Sequence, residues 1–208
     1  LREMYSDPVM AVVREYSANA LDAHTLAGCS DPIEITVPTR SEPVLKIRDF
    51  GNGLSDDEVK RLLLGYGASG DHKRESNQYV GGFGIGAKSA FAVTDQFTFV
   101  SHHEGKCATW HAYRDQDDDC KATKLSENPS DSPSGVAVII PIASDQVFAV
   151  QQAIAAAFRF YDVKPKLINA GPDLLSVYNK PFPATSFSGT LSVSDKDGNV
   201  SQVAWKIL

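Results

Sequence analysis

A carboxylate, an amide and a second carboxylate recur at helical spacing near the start of this sequence. Glu15, Asn19 and Asp22 follow one another at steps of four and three residues within VVREYSANALDAH, residues 12–24. At about 100° per residue these positions lie within roughly 60° of one another, so the three polar groups share one helix face. Such a stripe is typical of a solvated surface helix, but here two alanines flank it. The stripe therefore leaves room for a ligand to approach.

Two glycine-rich motifs follow this helix. The first is D-x-G-x-G at Asp49, Gly51 and Gly53, and the second is GGFGIG at residues 81–86, directly before a predicted helix. Glycines ahead of a helix allow backbone N–H groups to converge on an anion, and the helix dipole adds to the attraction. The second motif therefore predicts a phosphate-binding loop.

Two common phosphate motifs can be compared with this second loop. G-x-G-x-x-G does not fit, because the glycines are spaced by single residues and no parallel β-α-β unit surrounds them. A P-loop nearly fits, because Gly82-x4-Ala87-Lys88-Ser89 differs from G-x4-G-K-[ST] only at Ala87. That motif should follow a buried strand, whereas a polar loop precedes it here. The P-loop interpretation therefore ranks second.

Hydrophobic periodicity and turn residues predict the elements that position these motifs. The predicted strands span residues 33–37, 44–49, 97–101, 107–113, 135–142 and 166–168, with a separate hairpin within 190–208. The predicted helices span 12–24 and 55–64, with a third beginning at 86 and a long one through 149–161. Ser55 and Glu58 predict a capping box, and Asp145 is the predicted cap of the long helix. Residues 65–81, 114–120 and 126–134 are predicted loops.

Composition limits the classes of protein that the chain can belong to. With 208 residues, 42% of them hydrophobic, the chain can bury a substantial core. A net charge of -6 argues against nucleic acid as a partner, and no apolar run approaches the length of a membrane-spanning helix. Three cysteines without metal-like spacing favour a reducing compartment.

The two ends of the chain suggest how it is organised. The opening LREMYSDPVM has neither an initiator Met nor a signal-like stretch, so we expect the chain to be part of a longer protein. From residue 170 the composition shifts toward Pro, Asn, Gly and Ser. We therefore predict a main domain at 1–169, followed at 170–208 by a linker and the start of a truncated second domain.

Three motifs occur in a fixed order: E-x-x-x-N-x-x-D, D-x-G-x-G and G-x-F-G-x-G. In this order and with these gaps, they resemble the GHKL ATPase superfamily of gyrase B, the large heat-shock chaperone, histidine kinases and MutL. The resemblance covers roughly residues 5–168. It implies the Bergerat fold, an α+β two-layer sandwich whose mixed, mostly antiparallel sheet is covered by helices on one face. The implied cofactors are ATP and Mg²⁺.

Four stretches look more specifically like the phage lysis-inhibition RIIA proteins: AVVREYSANALDAH, RDFGNGLSD, GGFGIGAKSAF and TDQFTFVSHHEGK. This resemblance implies a phage protein in the cytoplasm of the infected bacterium, or peripheral to its inner membrane. Its implied role is a nucleotide-driven switch in host exclusion or lysis control, with an RIIB-like partner protein. Because superfamily members often dimerise, a homodimer is also implied.

The superfamily resemblance assigns roles to the polar helix and the first glycine motif. Glu15 would be the general base that activates water, and Asn19 would supply an amide oxygen to Mg²⁺. Asp22 would support the metal shell or simply orient its neighbours. Asp49 would accept a hydrogen bond from the exocyclic amine of adenine. Gly51 and Gly53 would let the backbone pass close to the base.

The resemblance also assigns the second glycine motif to the phosphates. The residues implied to line the phosphate chain are Gly82, Phe83, Gly84, Ile85, Gly86, Ala87 and Lys88, with the glycines donating N–H groups and the Phe and Ile packing beneath. Lys88 could instead be solvated, and Lys73 and Arg74 would belong to a lid or only to a polar loop. Val136 stands where a Thr commonly helps to hold adenine in the superfamily.

Two classes of function remain open from the sequence. The intact motifs favour slow, Mg²⁺-dependent hydrolysis of ATP to ADP and phosphate. The alternative is a non-catalytic module that senses nucleotides or binds another protein. Histidine-kinase activity is a weaker third interpretation, because none of the five histidines lies in an upstream dimerising helical hairpin.

Overall fold

The computed structural model describes residues 5–64, 86–159, 161, 163–180, 187–194 and 200–207. The contacts between residues divide the chain into two compact units, Leu1–Tyr178 and Asn179–Leu208. The first unit contains a seven-stranded sheet and its helices, and the second contains a two-stranded sheet.

The large sheet is mixed and mostly antiparallel. Its strands are β1 Glu34–Thr36, β2 Val44–Arg48, β3 Gln96–His103, β4 Lys106–Arg114, β5 Cys120–Pro129, β6 Gly135–Pro141 and β7 Lys166–Ile168. Their spatial order is β5-β4-β3-β6-β2-β1-β7. Every neighbouring pair is antiparallel except β1 and β7, which run parallel. Strand β6 therefore lies between β3 and β2, and its first residues adjoin the end of β2.

The structure describes four α-helices and one 3₁₀ helix, and the first two α-helices begin at capping signals in the sequence. They are α1 Pro8–Ala27, α2 Asp56–Leu64, a 3₁₀ helix Gly86–Ala92, α3 Val147–Ala157 and α4 Pro172–Tyr178. Helix α1 begins where the Asp7 side chain accepts the Met10 N–H at 2.9 Å, and it ends at Gly28 with φ of 65°. The predicted capping box of α2 is confirmed, because Ser55 N–H donates to the Glu58 carboxylate at 2.9 Å.

The core lies between one face of the sheet and the helices. Alternate strand residues are buried, among them Leu45, Ile47, Phe97, Phe99 and Trp110. They belong to the same cluster as the buried residues of α1 and α3. Burying both surfaces together removes apolar area from water, which is the main driving force for this arrangement. The predicted two-layer α+β sandwich is therefore confirmed.

Two local predictions were wrong, and one helix was not predicted. Residues 126–129 were predicted as part of a loop but form the end of strand β5. Most β5 residues are exposed, so the strand has no apolar pattern in the sequence and forms by pairing with β4. Gln146 rather than Asp145 is the N-cap residue of α3, with no side-chain cap bond. Helix α4 was not predicted. It belongs to the first compact unit, and the boundary at residues 169 and 170 stays a prediction.

The second unit is a hairpin. Strands β8 Phe187–Ser194 and β9 Val200–Ile207 pair antiparallel, as the alternating sequence predicts.

Among the residues that the structure describes, no helix has the length and apolarity needed to cross a membrane.

Candidate functional site

Helix α1 carries the predicted polar stripe on the side that faces away from the core. Glu15 and Asp22 are half-buried and Asn19 is exposed. The residues of the adjacent apolar arc are nearly inaccessible: Val12, Val13, Tyr16 and Ala20 are at most 4% exposed. Packing of this apolar arc fixes the rotation of α1, and with it the direction of the three polar side chains.

One end of the stripe meets the start of the 3₁₀ helix. A Cβ atom built on Gly86 would lie 2.6 Å from Glu15 Oε2 and 3.8 Å from Asn19 Nδ2. The carboxylate and the amide thus lie on the side of Gly86 where any other residue would carry its Cβ. In the following turn Ala87 is buried and Lys88 is half-buried. The structure therefore brings Glu15, Asn19 and Gly86 together.

The D-x-G-x-G loop contains a buried carboxylate. Asp49 is 5% exposed, its Oδ1 accepts the Gly51 N–H at 2.9 Å, and its own N–H donates to the Val136 carbonyl at 2.9 Å. Burial raises the pKa of the Asp49 carboxyl above its usual value, and the backbone N–H groups of Gly51 and Val136 offset part of that rise. Nearby Arg48 and His24 lower the same pKa by smaller amounts.

Three glycines bring this loop close to its neighbours. A Cβ on Gly51 would lie 2.9 Å from the Cβ of Ala23 in α1. Gly53 has φ of +71°, and a Cβ there would lie 2.0 Å from the His102 carbonyl oxygen. Gly135 has φ of +125°, and a Cβ there would lie 2.3 Å from the Asp49 carbonyl oxygen. The loop is therefore held between α1, β3 and the start of β6.

The sequence analysis missed two buried side chains that hold the site. His24 is 4% exposed, and its Nε2 accepts the Phe50 N–H at 2.7 Å, so α1 is tied directly to the Asp49 loop. The Tyr16 hydroxyl donates to the Ala87 carbonyl at 2.7 Å, so α1 is also tied to the 3₁₀ helix. The sequence did contain a sign of these contacts. Tyr16 and His24 lie on the apolar arc of α1, and a polar group that is buried there needs a hydrogen-bond partner.

Several predicted site residues lie outside the described part of the chain. They are Lys73, Arg74, Gly82, Phe83, Gly84 and Ile85. Their assignment to the phosphates or to a lid stays a prediction. Val136 is half-buried, and it contacts Asp49 through its backbone.

The fold and these motifs match a family of ATPases. Residues 5–139 match the family model described as histidine kinase-, DNA gyrase B-, and HSP90-like ATPase. The matched range includes α1, the Asp49 loop and the 3₁₀ helix. The chain belongs to this family, and membership supports ATP binding by the domain.

A chaperone is among the proteins that this chain resembles. Over 154 residues it is 31% identical to the chaperone protein HtpG of Streptomyces coelicolor. The alignment covers 67% of this chain and 23% of HtpG, so the chain spans less than a quarter of the length of that relative.

The P-loop interpretation is wrong. Its hydroxyl residue would be Ser89, which is fully buried and cannot reach a metal ion on a bound nucleotide. The sheet is also mostly antiparallel, whereas a P-loop follows a strand of a parallel sheet.

The tight contact at Gly53 can be tested against a matched control. Gly53 and Gly105 have nearly the same φ, +71° and +73°, but a Cβ on Gly105 would meet nothing within 4 Å. We expect Gly105→Ala to cost about 1 kcal/mol of unfolding free energy, from its backbone conformation alone. Gly53→Ala should cost about 2 kcal/mol more because it must also displace the His102 carbonyl. Urea unfolding measures both, and equal losses would contradict the close approach.

Proposed function

We propose that residues 5–168 bind ATP between the Asp49 loop and the Gly86 segment, the first turn of the 3₁₀ helix at residues 86–88, and hydrolyse it slowly with Mg²⁺. One observation carries this proposal: a single helix, α1, contacts both segments. Its last turns contact Gly51 and Phe50 through Ala23 and His24, and Glu15 and Asn19, near its middle, lie beside Gly86. The polar stripe between them is accessible to a nucleotide lying along the helix.

Asp49 is the proposed adenine contact. The carboxylate accepts the Gly51 N–H through Oδ1, and because each carboxylate oxygen has two lone pairs, it retains the capacity to accept the exocyclic amine of adenine. Guanine has a carbonyl at that position, so its binding would leave a buried acceptor facing another acceptor.

Asn19 and the glycine-rich segment are the proposed phosphate end. The amide of Asn19 lies beside the start of the 3₁₀ helix and fits a neutral oxygen ligand for Mg²⁺. When bound, the metal would neutralise charge on the phosphates. Gly82, Gly84 and Gly86 would donate backbone N–H groups to phosphate oxygens, with Phe83, Ile85, Ala87 and Lys88 beside them. Asp22 would orient the metal's water ligands.

Glu15 is the proposed general base. Its carboxylate is half-buried beside Gly86, where it can accept a proton from a water that attacks the terminal phosphate. The matched family is one of ATPases, which favours turnover over nucleotide sensing alone.

Replacing Glu15 tests catalysis separately from binding. We expect Glu15→Gln to retain ATP affinity within about twofold, because the amide keeps the size of the side chain. Turnover should fall by about 10²- to 10⁴-fold, the usual contribution of a general base. Calorimetric titration with a nonhydrolysable ATP analogue and a phosphate-release assay measure the two quantities. Wild-type binding without turnover would favour the non-catalytic module, and unchanged turnover in the variant would exclude Glu15 as the base.

Replacing Asp49 tests the adenine contact and the energetic cost of the buried carboxylate. Asn keeps one acceptor for the Gly51 N–H but presents an NH₂ group to the adenine amine. We expect Asp49→Asn to weaken ATP binding by about ten- to a hundredfold. Titration with ATP and GTP measures this loss, and binding that is unchanged would remove Asp49 from the adenine site.

The same variant should not destabilise the fold at neutral pH. Because burial raises the pKa of Asp49, ionisation costs stability as the pH rises through that pKa, and the cost disappears toward about pH 4. We therefore expect Asp49→Asn to be at least as stable as the wild type at pH 7. Any advantage of the variant should shrink in acid, and thermal unfolding across this range measures it.

We further propose that the chain is the nucleotide domain of an RIIA-like phage protein. The domain would span residues 1–169, followed by a linker and a second domain, and would act as a switch inside the infected bacterium or peripherally at its inner membrane. Four sequence stretches support this proposal, including RDFGNGLSD at 48–56 and GGFGIGAKSAF at 81–91. The proposed partners are a second copy of the chain and an RIIB-like protein.

This cellular role predicts a defined protein complex. We expect an RIIB-like protein to co-purify with the tagged full-length protein from infected cells, and the complex to respond to ATP. A tagged Asp49→Asn variant controls for nucleotide dependence. Purification without any RIIB-like protein would contradict the phage role while leaving the ATPase proposal intact.

A further inference from the structure

Tyr16 is the buried residue next to the proposed general base. It is 4% exposed on the apolar arc of α1, and its ring contacts Phe97 edge-on, with centroids 6.3 Å apart. Phe97 in turn contacts Phe91 of the 3₁₀ helix at 5.1 Å. The aromatic ring is therefore fixed by the core, and the hydroxyl at its tip is held in one place.

The hydroxyl of Tyr16 makes two hydrogen bonds to the backbone of the 3₁₀ helix. It donates to the Ala87 carbonyl at 2.7 Å and accepts the Ala90 N–H at 3.4 Å. In an uninterrupted 3₁₀ helix the N–H of residue 90 would donate directly to the carbonyl of residue 87. The tyrosine hydroxyl thus connects the carbonyl and the N–H at the two ends of one i→i+3 step of this helix. Side chains that enter a helix ladder in this way fix its local geometry.

This bridge acts on the spacing that the proposed chemistry needs. Ala87 directly follows Gly86, whose backbone lies against the Glu15 carboxylate, and Glu15 directly precedes Tyr16. The bridge therefore joins the two backbone segments whose separation sets where the carboxylate lies relative to the phosphate loop. Burial also raises the pKa of the Tyr16 hydroxyl above its usual value, so the group stays protonated at alkaline pH as well as at neutral pH.

We propose that Tyr16 is a positioning residue that sets the distance between Glu15 and the Gly86 segment, and so tunes phosphate binding and hydrolysis without affecting adenine recognition. The inference rests on the proposed ATPase function. The proposed role of Tyr16 is limited to the phosphate end of the nucleotide. At the adenine end a different residue of α1, His24, holds the Asp49 loop.

The test removes the Tyr16 hydroxyl and compares the effect with that of removing a similar buried hydroxyl elsewhere in the domain. Tyr16→Phe keeps the ring against Phe97 and loses only the bridge. Tyr178→Phe is the control, because the Tyr178 hydroxyl also donates to a backbone carbonyl, that of Pro165, at 2.7 Å in a buried site in α4. The probes are adenosine, ADP and a nonhydrolysable ATP analogue with Mg²⁺, together with kcat for ATP.

We expect Tyr16→Phe to bind adenosine as the wild type does, while its affinity for the ATP analogue and its kcat each fall by about three- to tenfold. Tyr178→Phe should change neither. Phe97→Leu keeps the Tyr16 hydroxyl but removes the aromatic ring that packs against the Tyr16 ring. We therefore expect it to weaken binding of the ATP analogue and lower kcat in the same selective way, but by a smaller factor. It provides the decisive comparison if Tyr16→Phe does not fold.

Each other outcome overturns the inference in a distinguishable way. Equal losses for adenosine and the ATP analogue would show that Tyr16 has only a structural role. Unchanged values in folded Tyr16→Phe would exclude a positioning role while leaving the ATPase proposal in place. A wild-type protein that binds none of the three probes would overturn the proposed function, and with it this inference.

Discussion

The packing of α1 on the sheet is the interaction on which the rest of the structure depends. Val12, Val13, Tyr16 and Ala20 are nearly inaccessible, so the helix can neither rotate nor slide without exposing apolar surface or leaving voids. That constraint fixes the direction of the polar stripe. It also makes α1 the common support for two loops that lie far apart in the sequence. A single well-packed helix can therefore hold both ends of a ligand at a set separation.

Glycine has a different role in each of these two loops. Gly53 and Gly135 both have a positive φ, and at each of them a Cβ would collide with a backbone carbonyl. The loop can therefore pack only if these two residues are glycine. At Gly86 the close neighbour is the Glu15 carboxylate, a side chain of the proposed site. Glycine at the first two positions thus allows the fold to pack. At Gly86 it leaves space for the carboxylate of the proposed general base.

The buried Asp49 carboxylate illustrates how a site departs from what stability alone would favour. Its desolvation is only partly offset by two backbone N–H groups and by nearby positive charge, so the ionised form is costly in the folded chain. A buried acceptor with lone pairs to spare is nevertheless what selective recognition of a hydrogen-bond donor requires. The fold tolerates this cost because the neighbouring sheet strands β2 and β6 hold the loop that carries Asp49.

The sequence by itself determined the central turns of α1, the positions of β1 and β2, the capping box at Ser55 and the order of the three motifs, because periodicity, caps and turns are local properties. It also placed Glu15, Asn19 and Asp22 on one face. It failed at β5, where an exposed edge strand has no apolar pattern and forms only by pairing with β4. Only the tertiary structure decided that Gly135 adjoins Asp49, that His24 holds Phe50 and that Tyr16 bridges Ala87 and Ala90. These contacts join residues 26 to 86 positions apart, and such pairings depend on how the whole chain packs rather than on any local signal.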